Sequence, residues 1–147
     1  MTSNKKLIKY IKMLKATRYG PYGPGAADWK KRKKGAYKLG ELGDIRALPP
    51  LLEYASSSQN IIVLDAIIKI GLFKKDNLQA ARDALFKLLN EGPALRAKIG
   101  HYRRTYKGNI APPPESIWRN YIELSLRKLQ ERKPLYDKNF IKKKLKE

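Results

Sequence analysis

Five cations follow one another directly after Trp29: Lys30, Lys31, Arg32, Lys33 and Lys34. Three further stretches set positive charge beside flat rings. "TRYGPYGPG" places Arg18, Tyr19 and Tyr22 in a Gly- and Pro-rich loop. "HYRRTYKG" gathers Arg103, Arg104, Tyr106 and Lys107, and "KNFIKKKLK" carries Lys142, Lys143, Lys144 and Lys146. Cations neutralise phosphates and rings stack on bases, so this mixture of residue types has the chemistry of nucleic-acid binding. Each run taken alone also reads as solvated helix surface. Trp29 lies seven residues before Ala36, and Tyr102 seven after Leu95, so both read as core side chains. Four runs together are harder to assign to solvation. Like charges ~6 Å apart repel by roughly 3 kcal/mol at an effective dielectric of about 20. A bound polyanion would offset that repulsion.

Other chemistries find little material. The chain has no cysteine, which excludes disulfides, thiolate metal sites and Cys nucleophiles. Its one histidine, His101, is followed by Tyr102, Arg103 and Arg104, neighbours that suit an anion better than a general base. The 13 carboxylates are scattered rather than set at metal-ligand spacing. "GPYGPG" has the glycines of a phosphate loop, but its prolines lack the N–H groups that would cradle an anion. Glu41 and Asp44 read as a solvated carboxylate and a turn former. No catalytic residue, metal, cofactor or small-molecule substrate is expected, and the chain does not read as an enzyme.

The net charge of +20 is unevenly distributed. Residues 1–40 hold 12 Lys and Arg against one acid, and residues 93–147 hold 15 against five. Residues 41–92 hold six against seven, so a near-neutral centre separates two basic flanks. Such asymmetry points to a polyanionic partner. The most apolar run, Ile61–Phe73, is 13 residues and contains Asp65 and Lys69, too short and too charged to span a bilayer. The basic N-terminus lacks the apolar core and small-residue cleavage site of a secretory signal. A cytoplasmic location is expected, and a membrane-surface role for the first helix is the weakest alternative.

Positioning these residues falls to helices. Leu7, Ile8, Ile11 and Leu14 stripe a helix from about Asn4 to Ala16, and Asp28 is placed as the cap of a helix running to Leu42. In "GAYKLGELGDIRALPPLLEYA", Ala36, Leu39, Gly40 and Gly43 share one face, as do Leu48, Leu51, Leu52 and Ala55. Gly43-Asp44 between them reads as a stop and a cap, and Pro49 and Pro50 fit the first turn of the second helix. "KLG" at Lys38 returns as "KIG" at Lys69, 31 residues later, so Asn60–Phe73 and Asn77–Asn90 form a second pair. The helix from Asn60 is apolar nearly all round and reads as the buried centre. A helix at 94–106, a break at "GNIAPPP" and a helix from Glu115 to Arg132 follow. Glycine inside a helix costs about 1 kcal/mol, so Gly40 and Gly71 are expected where helices approach closely.

"LGELGDIRALPPLLE", with a helix ending in Leu-Gly, a Gly-Asp turn and then Arg-Ala and paired leucines, resembles the HEAT-like repeat of phycobilisome-lyase-type proteins over roughly residues 33–92. The two helix pairs and the resemblance imply an all-α fold, a short HEAT-like α-solenoid of about six helices, and the charge distribution adds basic N- and C-terminal extensions. The resemblance implies little about function, because such repeats serve scaffolds, lyases, regulators and nucleic-acid binders. The expected division is a basic helix and Gly/Pro/Tyr loop at 1–27, the helical domain at 28–132 and a basic tail at 133–147. Basic extensions on a small neutral body resemble ribosomal proteins in composition alone. The expected function is thus non-enzymatic RNA binding in a ribonucleoprotein, a ribosomal or ribosome-associated component gripping RNA backbone, with ribosomal RNA and neighbouring ribosomal proteins as partners. The alternatives are a DNA- or RNA-binding accessory factor and an interaction scaffold for an acidic protein.

Overall fold

The computed structural model describes residues 3–15, 26–57, 61–90 and 115–146. Among them all regular structure is helical. The helices are α1 (Ser3–Leu14), α2 (Ala26–Leu42), α3 (Leu48–Ser57), α4 (Ile61–Phe73), α5 (Leu78–Asn90), α6 (Glu115–Gln130) and α7 (Lys138–Lys146). The expected helix at 94–106 and the loops around Tyr19 and Pro113 lie outside the described residues.

α4 is the centre. Ile62, Val63, Leu64, Ala66, Ile67, Ile68 and Ile70 are all buried, as its all-round apolar sequence requires. α2, α3, α5, α6 and α7 each contact it. α1 lies outside this group against α2 and α3, with Leu7 and Leu14 buried. Ile8, expected on the same stripe, is 53% exposed. It is one position on from Leu7, about 100° round the helix, and α1 buries only one side.

The two pairs share one order of elements. α2 and α4 each end in a turn, a 3₁₀ segment follows at Ile45–Ala47 or Lys75–Asn77, and a helix opens at Leu48 or Leu78. The turns are built differently. Gly43 adopts φ 71°, a left-handed conformation that closes α2, and the Asp44 carboxylate accepts the Arg46 N–H at 2.9 Å. In the second turn Lys74 holds the capping position without a side-chain bond. Asn77 compensates: its buried Nδ2 donates to Gly43 O at 2.9 Å and to Ile70 O at 3.1 Å, joining the two turns. Pro49 and Pro50 sit in the first turn of α3, as expected. Asp28, expected as a cap, lies inside α2, which begins at Ala26.

Glycines mark the tightest crossings. A Cβ on Gly40 would lie 2.8 Å from Ala66 Cα on α4. One on Gly71 would lie 2.7 Å from Ala81 Cβ on α5 and 2.8 Å from Leu129 Cδ1 on α6. Both glycines stand where the sequence places a close approach.

One charged pair enters the core. Asp65 is 1% exposed, with Lys69 Nζ 3.2 Å from Oδ2 and 4.2 Å from the centroid of the Tyr37 ring. Neither Asp65 oxygen makes a hydrogen bond among the described residues; the contact is an ion pair without hydrogen-bond geometry. Burial pushes the Asp65 carboxyl above its ordinary value, against the opposing pull of Lys69.

Candidate nucleic-acid interface

The first basic run lies on the N-terminal half of α2. Lys30, Lys31 and Lys34 are exposed, and Arg32 and Lys33 are half-buried. A helix turns about 100° per residue, so five consecutive cations spread around its circumference. α2 as a whole packs against α4, α1 and α7.

Residues 138–146, expected within a tail, form α7. Ile141 is fully buried, Leu135 just before the helix is buried, and Leu145 lies partly against the core. With Ile141 anchored, Lys142, Lys143 and Lys146 remain exposed and Lys144 is half-buried. The lysines stand in the last turns, where the helix C-terminus favours cations.

The two runs, 111 residues apart in sequence, meet here. Lys33 Nζ donates to the backbone oxygen of Lys144 at 3.3 Å. This bond supplies a donor to a carbonyl near the end of α7, where carbonyls have no intrahelical partner. It also brings the basic stretch of α2 beside that of α7. None of Lys30, Lys31, Lys34, Lys142, Lys143 and Lys146 makes an ion pair with a carboxylate among the described residues.

An aromatic that sequence reasoning passed over lies on α7. Phe140 is exposed, stacks on Tyr136 with ring centroids 4.8 Å apart, and has Lys144 Nζ 5.6 Å from its centroid. Part of the signal was the spacing of Phe140 and Lys144, four apart on α7 and so on one side of it; Tyr136 reaches Phe140 from the bend before the helix. The other expected contacts, Arg18, Tyr19, Tyr22, Arg103, Arg104, Tyr106 and Lys107, lie outside the described residues, as does the side chain of Trp29.

Other cations are committed elsewhere. Arg46 grips Asp44 at 2.7 Å through Nη2 and donates to Asn4 Oδ1 at 2.8 Å through Nη1, tying the start of α1 to the first turn. The same guanidinium holds the Asp44 carboxyl below its ordinary value. Lys69 serves Asp65. Among the described residues no three His, Asp or Glu side chains come together in a group that could hold a metal ion. Lys30, Lys31, Lys34, Lys142, Lys143 and Lys146 therefore present exposed ammonium groups from two packed helices, a charge pattern that suits a phosphate backbone.

The chain matches no protein-family model, no curated protein and no solved structure. No helix among the described residues is long and apolar enough to cross a membrane.

Proposed function

We propose that the protein is a non-enzymatic, cytoplasmic RNA-binding component of a ribonucleoprotein, ribosomal or ribosome-associated, that grips RNA backbone through the α2–α7 lysine face. The observation that carries this reading is the Lys33–Lys144 contact. It brings two runs that are separate in sequence next to each other. Lysines outnumber arginines there, and a compact ammonium suits sequence-independent phosphate contact. In this reading α2–α5 form a short HEAT-like solenoid, and its near-neutral part, residues 41–92, holds the charge in place. The basic segments at either end of the chain work as extensions of that body.

The test is binding to a short RNA duplex across a salt series. About eight neutralised phosphates imply a log–log slope of roughly −6 to −7. A slope near −1 would overturn the proposal and favour an interaction scaffold for a protein partner. A DNA duplex of equal length, run in parallel, decides between the two nucleic acids. Co-sedimentation with ribosomal particles that disappears after RNase treatment is the expected result for the ribosomal part of the proposal.

A further inference from the structure

A second cationic site lies apart from the lysine face, in the groove between α5 and α6. The groove has a volume of about 360 Å³, within the range of ligand pockets, about 300–1,000 Å³. Leu78, Leu126 and Leu129 contribute apolar surface to its lining. Arg82 and Phe86 come from α5, one turn apart, and Phe86 is 40% exposed with the Arg82 guanidinium carbon 5.6 Å from its ring centroid. Arg127 comes from α6 and Arg132 from just beyond its end. Glu123 also lines the groove, but Arg119 holds it in an ion pair at 3.3 Å. Arg82, Arg127 and Arg132 have no carboxylate partner among the described residues.

Arg132 adds an independent observation. It stands at φ 60°, the left-handed closing position of α6, with its N–H bonded to Leu129 O and the Lys133 N–H to Lys128 O. Glycine is the residue that suits this closure. An arginine there strains the backbone while presenting a guanidinium to the groove.

We propose that this groove takes one unstacked nucleotide of a single-stranded nucleic acid, its base against Phe86 and its phosphate among the arginines. The exposed ring supplies a stacking platform and Arg82 a cation beside it. Planar guanidinium forks suit a terminal or bridging phosphate better than ammonium groups do. The three basic residues lining the groove are all arginines, whereas the α2–α7 face is mostly lysine, so the two sites divide the work. The face grips the backbone and the groove holds a base that has left the helix. The proposal rests on the nucleic-acid reading for the identity of the strand, and the experiment separates the two.

Full-length isotopically labelled protein is titrated with AMP, ribose 5-phosphate and adenosine, following the backbone amides by NMR. AMP should shift Arg82, Phe86, Arg127 and Arg132, and should bind at least fivefold more tightly than ribose 5-phosphate or adenosine. Phe86→Leu, which retains an apolar side chain, should weaken AMP by about five- to a hundredfold and leave binding to a blunt RNA duplex unchanged. Equal binding of AMP and ribose 5-phosphate would overturn the proposal, since the groove would then be a plain anion site. Shifts confined to the lysine face, or a stronger response to oligoglutamate than to AMP, would also overturn it. Loss of duplex binding with intact AMP binding would sink the lysine-face reading alone.

Discussion

At the crossing of α2 and α4, the backbones approach until Ala66 leaves no room for a Cβ on Gly40. Where α2 meets α7, Ile141 anchors the second helix and Lys33 reaches the Lys144 carbonyl between two cationic helices. The same helix, α2, takes part in both. Its C-terminal half is selected for absence of volume and its N-terminal half for presence of charge. The difference separates what holds the protein together from what it offers a partner: the first tolerates no added methyl, and the second should tolerate any side chain that keeps its sign.

The sharpest break of this comparison is Gly40→Leu. Overpacking a close helix crossing should cost roughly 3 kcal/mol or more, read as a lower urea midpoint. Lys38→Leu, at an exposed ion pair with Glu41, should stay within about 0.5 kcal/mol. Equal losses would mean that close approach is not what Gly40 provides.

A matched pair of triple variants tests the other half. Lys31, Lys34 and Lys143 changed to Gln remove three charges from the face. Lys74, Lys75 and Lys87, all exposed in the neutral centre, lose the same charge when changed to Gln. Lys69 is left alone because its removal would strand Asp65. The face variant should bind duplex RNA at least tenfold more weakly at physiological salt, about 1.4 kcal/mol, with little change in melting temperature. The central variant should bind nearly as the wild type does. Equal losses would show that net charge alone drives association.

Asp65 sharpens the stability side through pH. Its folded carboxyl titrates above its ordinary 3.8 because burial disfavours the charge. The folded state therefore binds the proton more tightly, and this group's contribution is lost as pH rises from 3.8 through the folded value. Asp65→Asn removes that loss while leaving Lys69 partly exposed over Tyr37. The variant should gain on the wild type as pH rises, in denaturant titrations at several pH values. A variant that falls progressively behind would show that the ion pair outweighs the burial.

Arg132→Gly is expected to have the smallest effect and the opposite sign. Relieving a left-handed arginine should raise stability by roughly 1 kcal/mol or less. The same change should weaken AMP binding. A gain in stability with no loss of nucleotide would leave the strain without a purpose.

Much of the body was legible because its determinants are local. Helical spacing placed six of the seven described helices to within a few residues, and Gly43-Asp44 marked a turn that forms as read. Gly40 and Gly71 announced close crossings, since glycine inside an apolar helical face has few other uses. The candidate site was half legible. Residue type identified Lys30–Lys34 and Lys142–Lys146, but not that the two stretches meet at Lys33 and Lys144. Phe140 was hidden because one exposed ring in a charged segment carries little weight until Tyr136 and Lys144 fall beside it.

The amino-acid order alone determined which segments coil, which faces are apolar, where charge accumulates and which chemistries lack the residues to occur. These follow from spacing of 3.6 residues per turn and from side-chain identity. Tertiary structure alone decided that α7 docks through Ile141, that Lys33 meets Lys144, that Asn77 joins two turns and that Arg82, Phe86, Arg127 and Arg132 line one groove. Those contacts join residues that lie on different helices. No local periodicity encodes them, because they depend on which of several apolar faces each helix buries and at what angle the helices cross.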